Sequence, residues 1–383
     1  MATCQVTSAA LALGNPTDQL MQSYRPPTYS PPYPVKVHPR FSSSLFREKF
    51  EKWLEHHKVD TIFSPKIYQM LLNMDIPALA ARVYTEASDW GLEWGCKFYF
   101  MLWIWDDTTD STEIGKSPET AISALLDVHL LMMWSFPDDP VLRSRMEPFL
   151  NHFEGQAREE KIRYIESVLE EARTQPGTVY SKPTSSIRWE VYRELWKDMI
   201  AHASPEFCLR LAHVNQLWFL GCLEEAENRH MKTVPSSIDE YILMRRGSSA
   251  VIGSIAIVDI VYGLNTPDTL YYTPEFQSVL DAYNDILSWH NDLWSFKREV
   301  LVEKDISNMV LLISVHRKVS YMEAAAMTLQ MLYDRIADFE RSAKDLEAVT
   351  PPEYRHNVEV YLTTCKNFIS GTEDWHSHSV RYQ

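Results

Sequence analysis

The chain has 383 residues, enough for one large domain or two ordinary ones, and 45% of them are hydrophobic, so it can bury a sizeable core. Its 11 glycines, none arranged as G-x-G, are too few for the φ > 0 turns of a doubly wound sheet, a Walker loop or a many-stranded sandwich, which leaves helices. Lys plus Arg number 37 against 52 Asp plus Glu, and the resulting charge of −15 has the wrong sign for gripping a nucleic acid backbone or an anionic membrane. An anionic substrate would need local cations.

Residues 1–40 hold seven of the 21 prolines, interleaved with Ser, Thr and Tyr, a composition that propagates neither a helix nor a ladder. This segment is expected to be a disordered tail or an extended, strapped-down arm that buries little. From Ser42 onward helical punctuation dominates. Ser117-Pro118-Glu119 reads as an N-cap followed by proline in the first turn, and Ser237 with Glu240 and Ser320 with Glu323 read as capping boxes. The pattern predicts helices near 43–57, 65–85, 90–110, 118–135, 141–173, 186–202, 205–230, 237–263, 275–302, 305–315, 321–347 and 352–370, with strand signals nearly absent. The helix over Glu154 to Arg173 is charge-dense with a modest apolar stripe through Ile162, Ile165, Val168 and Leu169, and reads as a solvated face. No repeat of 30–45 residues appears, so a helical solenoid is not supported. The expectation is an all-α protein, one large helical bundle over 41–383 behind the proline-rich arm.

Five scattered cysteines (Cys4, Cys96, Cys208, Cys222, Cys365) with no C-x-x-C indicate neither a disulfide framework nor structural zinc, and fit a reducing compartment such as the cytoplasm. The N-terminus makes a poor signal peptide, with no Lys or Arg before Arg25. The longest apolar run, Val251 to Leu264, is interrupted by Asp259 and falls short of the roughly 18–20 residues that a membrane span needs. The histidines show no metal-ligand spacing, and His56-His57 reads as a solvated helix end.

Two motifs carry chemistry. Asp106-Asp107-Thr108-Thr109-Asp110 follows the apolar run Phe98 to Trp105, and on a helix Asp106 and Asp110 project from one face with Asp107 about 100° round. Converging carboxylates at the end of so apolar a helix suit a hard divalent cation such as Mg²⁺. Downstream, Asn291, Ser295 and Glu299 fall at i, i+4 and i+8, drifting about 40° per step, so an amide oxygen, a hydroxyl and a carboxylate line one stripe. The full pattern N-D-x-x-S-x-x-x-E arises by accident in on the order of 0.4% of such chains.

A D-D-x-x-D and a downstream N-D-x-x-S-x-x-K/R-E on two helices resemble the class I terpene cyclases, and the chain is similar to their single-domain microbial, especially fungal, sesquiterpene synthases. Three further stretches match that family: Glu225-Ala226-Glu227-Asn228-Arg229, then Val234-Pro235 with Glu240-Tyr241 and Arg245-Arg246, then Trp375 followed by Arg381-Tyr382. The match covers roughly residues 38–383. The 185 residues between the two motifs exceed the family's spacing, which points to the charged Glu154 to Arg173 helix and the Pro183 loop as an insertion.

The resemblance implies that Asp106, with Asp107 or Asp110, binds one pair of magnesium ions and that Asn291, Ser295 and Glu299 bind a third. It makes Arg245 the diphosphate sensor, with Ser248 and Ser249 at a helix break, Arg298 in the cationic slot, and Arg381 with Tyr382 closing on the diphosphate. Arg246 is the lesser candidate, read as a surface salt bridge. The substrate implied is a linear isoprenoid diphosphate, most simply farnesyl diphosphate, and the enzyme a monomer or homodimer without nucleic acid or membrane partners. A carbocation released by ionisation needs a dry aromatic wall, for which Phe98, Trp103, Trp218, Phe219 and Trp375 are candidates; Trp103, three residues before Asp106, is the best placed. A chain-elongating prenyl diphosphate synthase would carry a second D-D-x-x-D where this chain has Asn291, Ser295 and Glu299. A non-catalytic helical scaffold would need both motifs to be fortuitous.

Overall fold

The computed structural model describes residues 3–5, 24–41, 43–61, 63–111, 118–176, 187–231, 233–303 and 305–379. In chain order its elements are β1 (Thr3–Gln5), α1 (Ser43–His56), α2 (Pro65–Asn73), α3 (Ile76–Val83), α4 (Asp89–Ser111), α5 (Pro118–Ser135), α6 (Pro140–Ser144), α7 (Glu147–Leu150), α8 (Gly155–Thr174), α9 (Ile187–His202), α10 (Pro205–Met231), β2 (Thr233–Pro235), α11 (Ile238–Ser248), α12 (Val251–Ala256), α13 (Val258–Tyr262), α14 (Asp268–Tyr271), α15 (Pro274–Phe296), α16 (Met309–Arg317), α17 (Tyr321–Val349) and α18 (Arg355–His378). A π-helical segment, Lys297–Glu303, continues α15 directly. The all-α expectation holds, and the departures from it have local causes.

Three predicted helices are broken. The first splits at Asp75, which turns left-handed (φ 56°) and caps α3 by accepting from the Ala78 N–H, with Pro77 in the first turn. The second divides into α6, α7 and α8; Asp139 caps α6 ahead of Pro140, and α8 starts at Gly155, whose φ of 51° suits glycine. The third bends by 48° between α11 and α12–α13, where Ala250 adopts φ 58°. A left-handed alanine is costly without surrounding support, and it directly follows Ser248 and Ser249, where the resemblance implied a helix break. The Ser320–Glu323 capping box forms reciprocally at α17. The Ser237–Glu240 box does not: Ser237 caps the Glu240 N–H, but the Glu240 carboxylate accepts from the backbone N–H and hydroxyl of Ser236 instead.

The arm is extended, but it buries more than its composition predicts. Tyr24 and Tyr29 are 1% and 4% exposed, the Tyr33 hydroxyl donates to Glu340 Oε1 at 2.7 Å, and the His38 N–H donates to the Ala81 carbonyl. Prolines fix the backbone while the interleaved tyrosines supply apolar area. Among the described residues strand pairing, nearly silent in the sequence, is limited to a three-residue antiparallel ladder of β1 with β2, Thr3 lying opposite Pro235.

α8 lays Ile165, Leu169 and Ala172 on α5 and leaves its charges in solvent. His57 is not a solvated helix end: its ring is 9% exposed and its Nε2 lies 2.6 Å from Glu194 Oε2, which with the Trp53 indole N–H ties α1 to α9. Cys96, Cys208, Cys222 and Cys365 are buried thiols that form no disulfide. Among the described residues no single helix is long and apolar enough to cross a membrane.

At the centre runs α15, capped by Thr273, started by Pro274 and buried along most of its length against α17, α18, α11 and α16. α10 and α11 approach closely because Gly221 has no side chain: a Cβ there would lie 2.5 Å from the Gly247 carbonyl carbon. That approach brings the middle of α10 against the bend after Ser248.

Candidate active site

A cavity open to solvent lies between α4, α10, α11, α12, α15 and α18. Its lining divides by chemistry. Glu225, Arg229, Arg245, Asn291, Arg298, Glu299, Asp305 and Ser307 form a charged end, whereas Leu79, Tyr99, Leu102, Trp103, Leu287, Phe368 and Trp375 supply an apolar wall. The charged end is one network: the Ser307 hydroxyl donates to Glu225 Oε1 at 2.8 Å, Arg229 lies 3.6 Å from Asp305, and Arg298 Nη2 donates to Glu299 Oε1 at 3.0 Å.

Asn291 and Glu299 both line this cavity. Ser295 stands behind them, its hydroxyl donating to Glu299 Oε2 at 2.6 Å. The straight stripe expected of an α-helix is modified here, because Glu299 lies in the π segment, where each turn takes about one extra residue; such segments recur at functional sites. Among the described residues no group of three or more His, Cys, Asp or Glu is placed to hold a metal. The set on this helix is instead amide, hydroxyl and carboxylate oxygen, the hard donors that suit a divalent cation of the magnesium type.

Arg245 reaches this edge from α11. Its Nη2 donates to Asn291 Oδ1 at 3.2 Å and to Asp292 Oδ1 at 3.1 Å, and its Nε also bonds Asp292. Asp292 faces away from the cavity. It is wholly buried and accepts from the Tyr241 hydroxyl (2.7 Å) and the Met309 N–H (3.0 Å), so it joins α11, α15 and the start of α16. Burial pushes its carboxyl up to about 6, with Arg245 opposing and Glu299 adding to the rise. Burial likewise raises Asp305, against the pull of Arg229. Arg246 points elsewhere, to Asp285 and Asp281.

The bend between α11 and α12 sits where Ser248 and Ser249 were expected to mark one. Ser249 lines the cavity and donates to Asn284 Oδ1 at 2.7 Å. Ser248 is buried behind the wall, its hydroxyl on Glu225 Oε1 at 2.7 Å. Trp218 is buried there too and donates its indole N–H to the Ser248 carbonyl at 3.1 Å; Phe219 packs beside it. Neither lines the cavity. Phe98 is also absent from the wall: five residues before Trp103, it lies about 140° round α4 and stacks on Trp94 toward α9. Tyr99, one full turn before Trp103, takes the cavity position instead. Trp103 and Trp375 do face each other, ring centroids 5.9 Å apart, and the Trp375 indole is fixed by donation to the Met74 carbonyl at 2.7 Å.

α4 carries the backbone of Asp106, Asp107 and Asp110, but their side chains lie outside the described residues, as do Arg381 and Tyr382. Sequence reasoning did not assign Glu225, Arg229, Asp292, Tyr99, Asp305 or Ser307 to the site. Glu225, Arg229 and Asp292 stand inside quoted motifs, whereas Asp305 and Ser307 lie in an ordinary loop with no pattern to mark them.

The family model described as "Terpene synthase family 2, C-terminal metal binding" matches residues 97–338, well over half of the chain. Alpha-gurjunene synthase of Marchantia polymorpha is 25% identical over 375 residues, covering 94% of this chain and 86% of its own length. Germacrene A synthase of Nostoc punctiforme is 23% identical over 304 residues, covering 79% and 80% respectively. The crystal structure of germacradien-4-ol synthase from Streptomyces citricolor superposes with a TM-score of 0.68 at 19% identity, over 92% of this chain and 98% of that one.

Proposed function

Because the chain belongs to the terpene synthase family with its C-terminal metal-binding region, we propose that it ionises farnesyl diphosphate and cyclises the resulting cation to a sesquiterpene hydrocarbon or alcohol, releasing diphosphate. One observation carries this reading: a single cavity joins Arg245, Arg298, Asn291 and Glu299 at one end to a wall of Trp103, Trp375, Tyr99 and Phe368. The arrangement separates leaving group from cation.

Three bound Mg²⁺ ions would neutralise charge on the departing diphosphate as the allylic C–O bond breaks. Asn291, Ser295 and Glu299 are the residues of this chain that would hold one of them, and Asp106 with Asp107 or Asp110 would hold the others. Arg245, already desolvated and fixed by Asp292, presents its guanidinium to the same end of the cavity, so stabilisation of the leaving group needs little reorganisation. Arg298 adds a second cation beside Glu299, and Arg381 with Tyr382 would close over the diphosphate. At the other end the indoles of Trp103 and Trp375 exclude water and offer π faces that stabilise positive charge without attacking it.

Incubating purified protein with geranyl, farnesyl and geranylgeranyl diphosphates and Mg²⁺, then analysing volatiles and diphosphate, tests the reading. Cyclic C15 products from farnesyl diphosphate are expected. Diphosphate release without hydrocarbon or terpene alcohol, or chain elongation on adding isopentenyl diphosphate, would overturn it.

A further inference from the structure

We propose that Tyr24, in the N-terminal arm, is a positioning residue for the metal-binding edge of α15; the proposal rests on the reading that Asn291, Ser295 and Glu299 hold a divalent cation. The arm grips α15 through three successive positions on one face. The Tyr29 ring lies 5.0 Å from that of His290, the Tyr24 hydroxyl donates to the Leu293 carbonyl at 2.9 Å, and the Tyr24 ring packs on Phe296 at 4.7 Å. Residues 290, 293 and 296 lie roughly opposite the stripe of Asn291 and Ser295. Tyr24 and Tyr29 therefore back the helix from outside the cavity lining.

The grip falls where the helix changes form. Leu293 belongs to the last α-helical turn, Phe296 ends α15, and the π segment starts at Lys297. A slide of this junction by one residue would exchange one α-helical step for one π step, turning Glu299 by about 15–20° relative to Ser295 and altering their 2.6 Å contact. π segments are short and depend on their surroundings, and here a buried hydroxyl and a stacked ring fix the turn that precedes one. Tyr24 is 1% exposed, so its hydroxyl bond is shielded from water. Sequence reasoning left these residues as either a disordered tail or a strapped-down arm, because prolines obscure what the tyrosines do.

The test uses the full-length protein as wild type, Tyr24→Phe and Tyr33→Phe. Tyr33 is the control: its hydroxyl bonds Glu340 on α17 and makes no contact with α15. The thermal midpoint of each is measured alone and with Mg²⁺ plus inorganic diphosphate, and the KM for Mg²⁺ is measured separately. For Tyr24→Phe the ligand-induced rise in midpoint should fall below about half that of wild type, and KM for Mg²⁺ should rise about fivefold with a much smaller change in kcat, the size expected for one lost buried hydrogen bond. Tyr33→Phe should lower the unliganded midpoint and keep the wild-type increment. An unchanged increment and KM in Tyr24→Phe would overturn the proposal, as would equal losses in both variants, since general loosening of the arm would then suffice. No increment in the wild type would overturn the metal reading itself, and this proposal with it.

Discussion

Arg245 and Asn291 share an oxygen that the proposed chemistry also needs: Arg245 Nη2 donates to Asn291 Oδ1 at 3.2 Å. On the proposed chemistry, a cation at that amide oxygen would compete with the guanidinium for it and free an N–H, already at the charged end of the cavity, for a diphosphate oxygen. Metal binding and leaving-group recognition would thereby be coupled. Arg245→Ala should slow diphosphate release by on the order of 10²-fold or more while leaving the ratio of products that escape nearly unchanged. Arg245→Lys should recover little, because an ammonium cannot reproduce the fork that spans Asn291 and Asp292. Measuring diphosphate and volatiles in one assay checks both, and a scrambled product ratio in Arg245→Ala would show that the residue shapes the cation's path instead.

Asn291→Ala and Glu299→Ala should each reduce turnover below about a tenth of wild type, a barrier increase above roughly 1.4 kcal/mol, with far-UV circular dichroism unchanged. Both side chains line the cavity and neither fills the core. Excess chelator should abolish wild-type turnover in the same way. A variant that keeps more than that tenth at saturating Mg²⁺ would argue against the ligand role.

Helix existence was legible because capping residues and 3.6-residue periodicity are local. Interruptions at Asp75 and Gly155 carried local signs too, a proline shortly after one and a glycine at the other. Ala250 carried no local sign of its left-handed φ of 58°; the break beside it was expected only from the resemblance, at Ser248 and Ser249. The site followed the same division. Asn291, Glu299, Arg245 and Arg298 meet because motifs on two helices face one cavity. Choosing the aromatic wall required knowing which side of α4 faces inward, a tertiary fact, so Phe98 was chosen where Tyr99 belongs. Asp305 and Ser307 reach the charged end through the turn after the π segment, whose register no local pattern sets.

His129 should make stability depend on pH. It is buried on α5 between Gln216 and the Leu142 carbonyl, and burial pushes its pKa down to about 3. Between that value and the unfolded value of about 6.5, the unfolded chain holds a proton that the folded protein refuses, so this contribution is present above pH 6.5 and is lost as pH falls toward 3. At pH 5.5 the loss amounts to about 1.4 kcal/mol relative to pH 7.5. Denaturant unfolding of wild type and His129→Gln at both pH values checks it. The variant should be less stable at pH 7.5 but show a pH difference smaller by about that amount, and equal differences in the two proteins would dismiss the assignment.

The sharpest separation of packing from chemistry is between Trp103 and Phe98 on the same helix. Trp103 is partly buried, lines the cavity and faces Trp375 across 5.9 Å, whereas Phe98 is buried on the far side of α4 against Trp94. Trp103→Leu keeps an apolar surface but removes a π face that stabilises a desolvated cation by about 1–2 kcal/mol. Its effect should appear after ionisation, as a shift of the product mixture toward acyclic or prematurely deprotonated hydrocarbons and alcohols, with diphosphate release reduced only modestly. Phe98→Leu should do the reverse: it leaves a void in a packed layer, lowers stability by about 1–2 kcal/mol, and leaves the product ratio unchanged. Gas chromatography of the volatiles beside a thermal unfolding curve reads both variants. If Trp103→Leu retained the wild-type product ratio, or if Phe98→Leu altered it, the wall of the cavity would have to be drawn on the other face of α4.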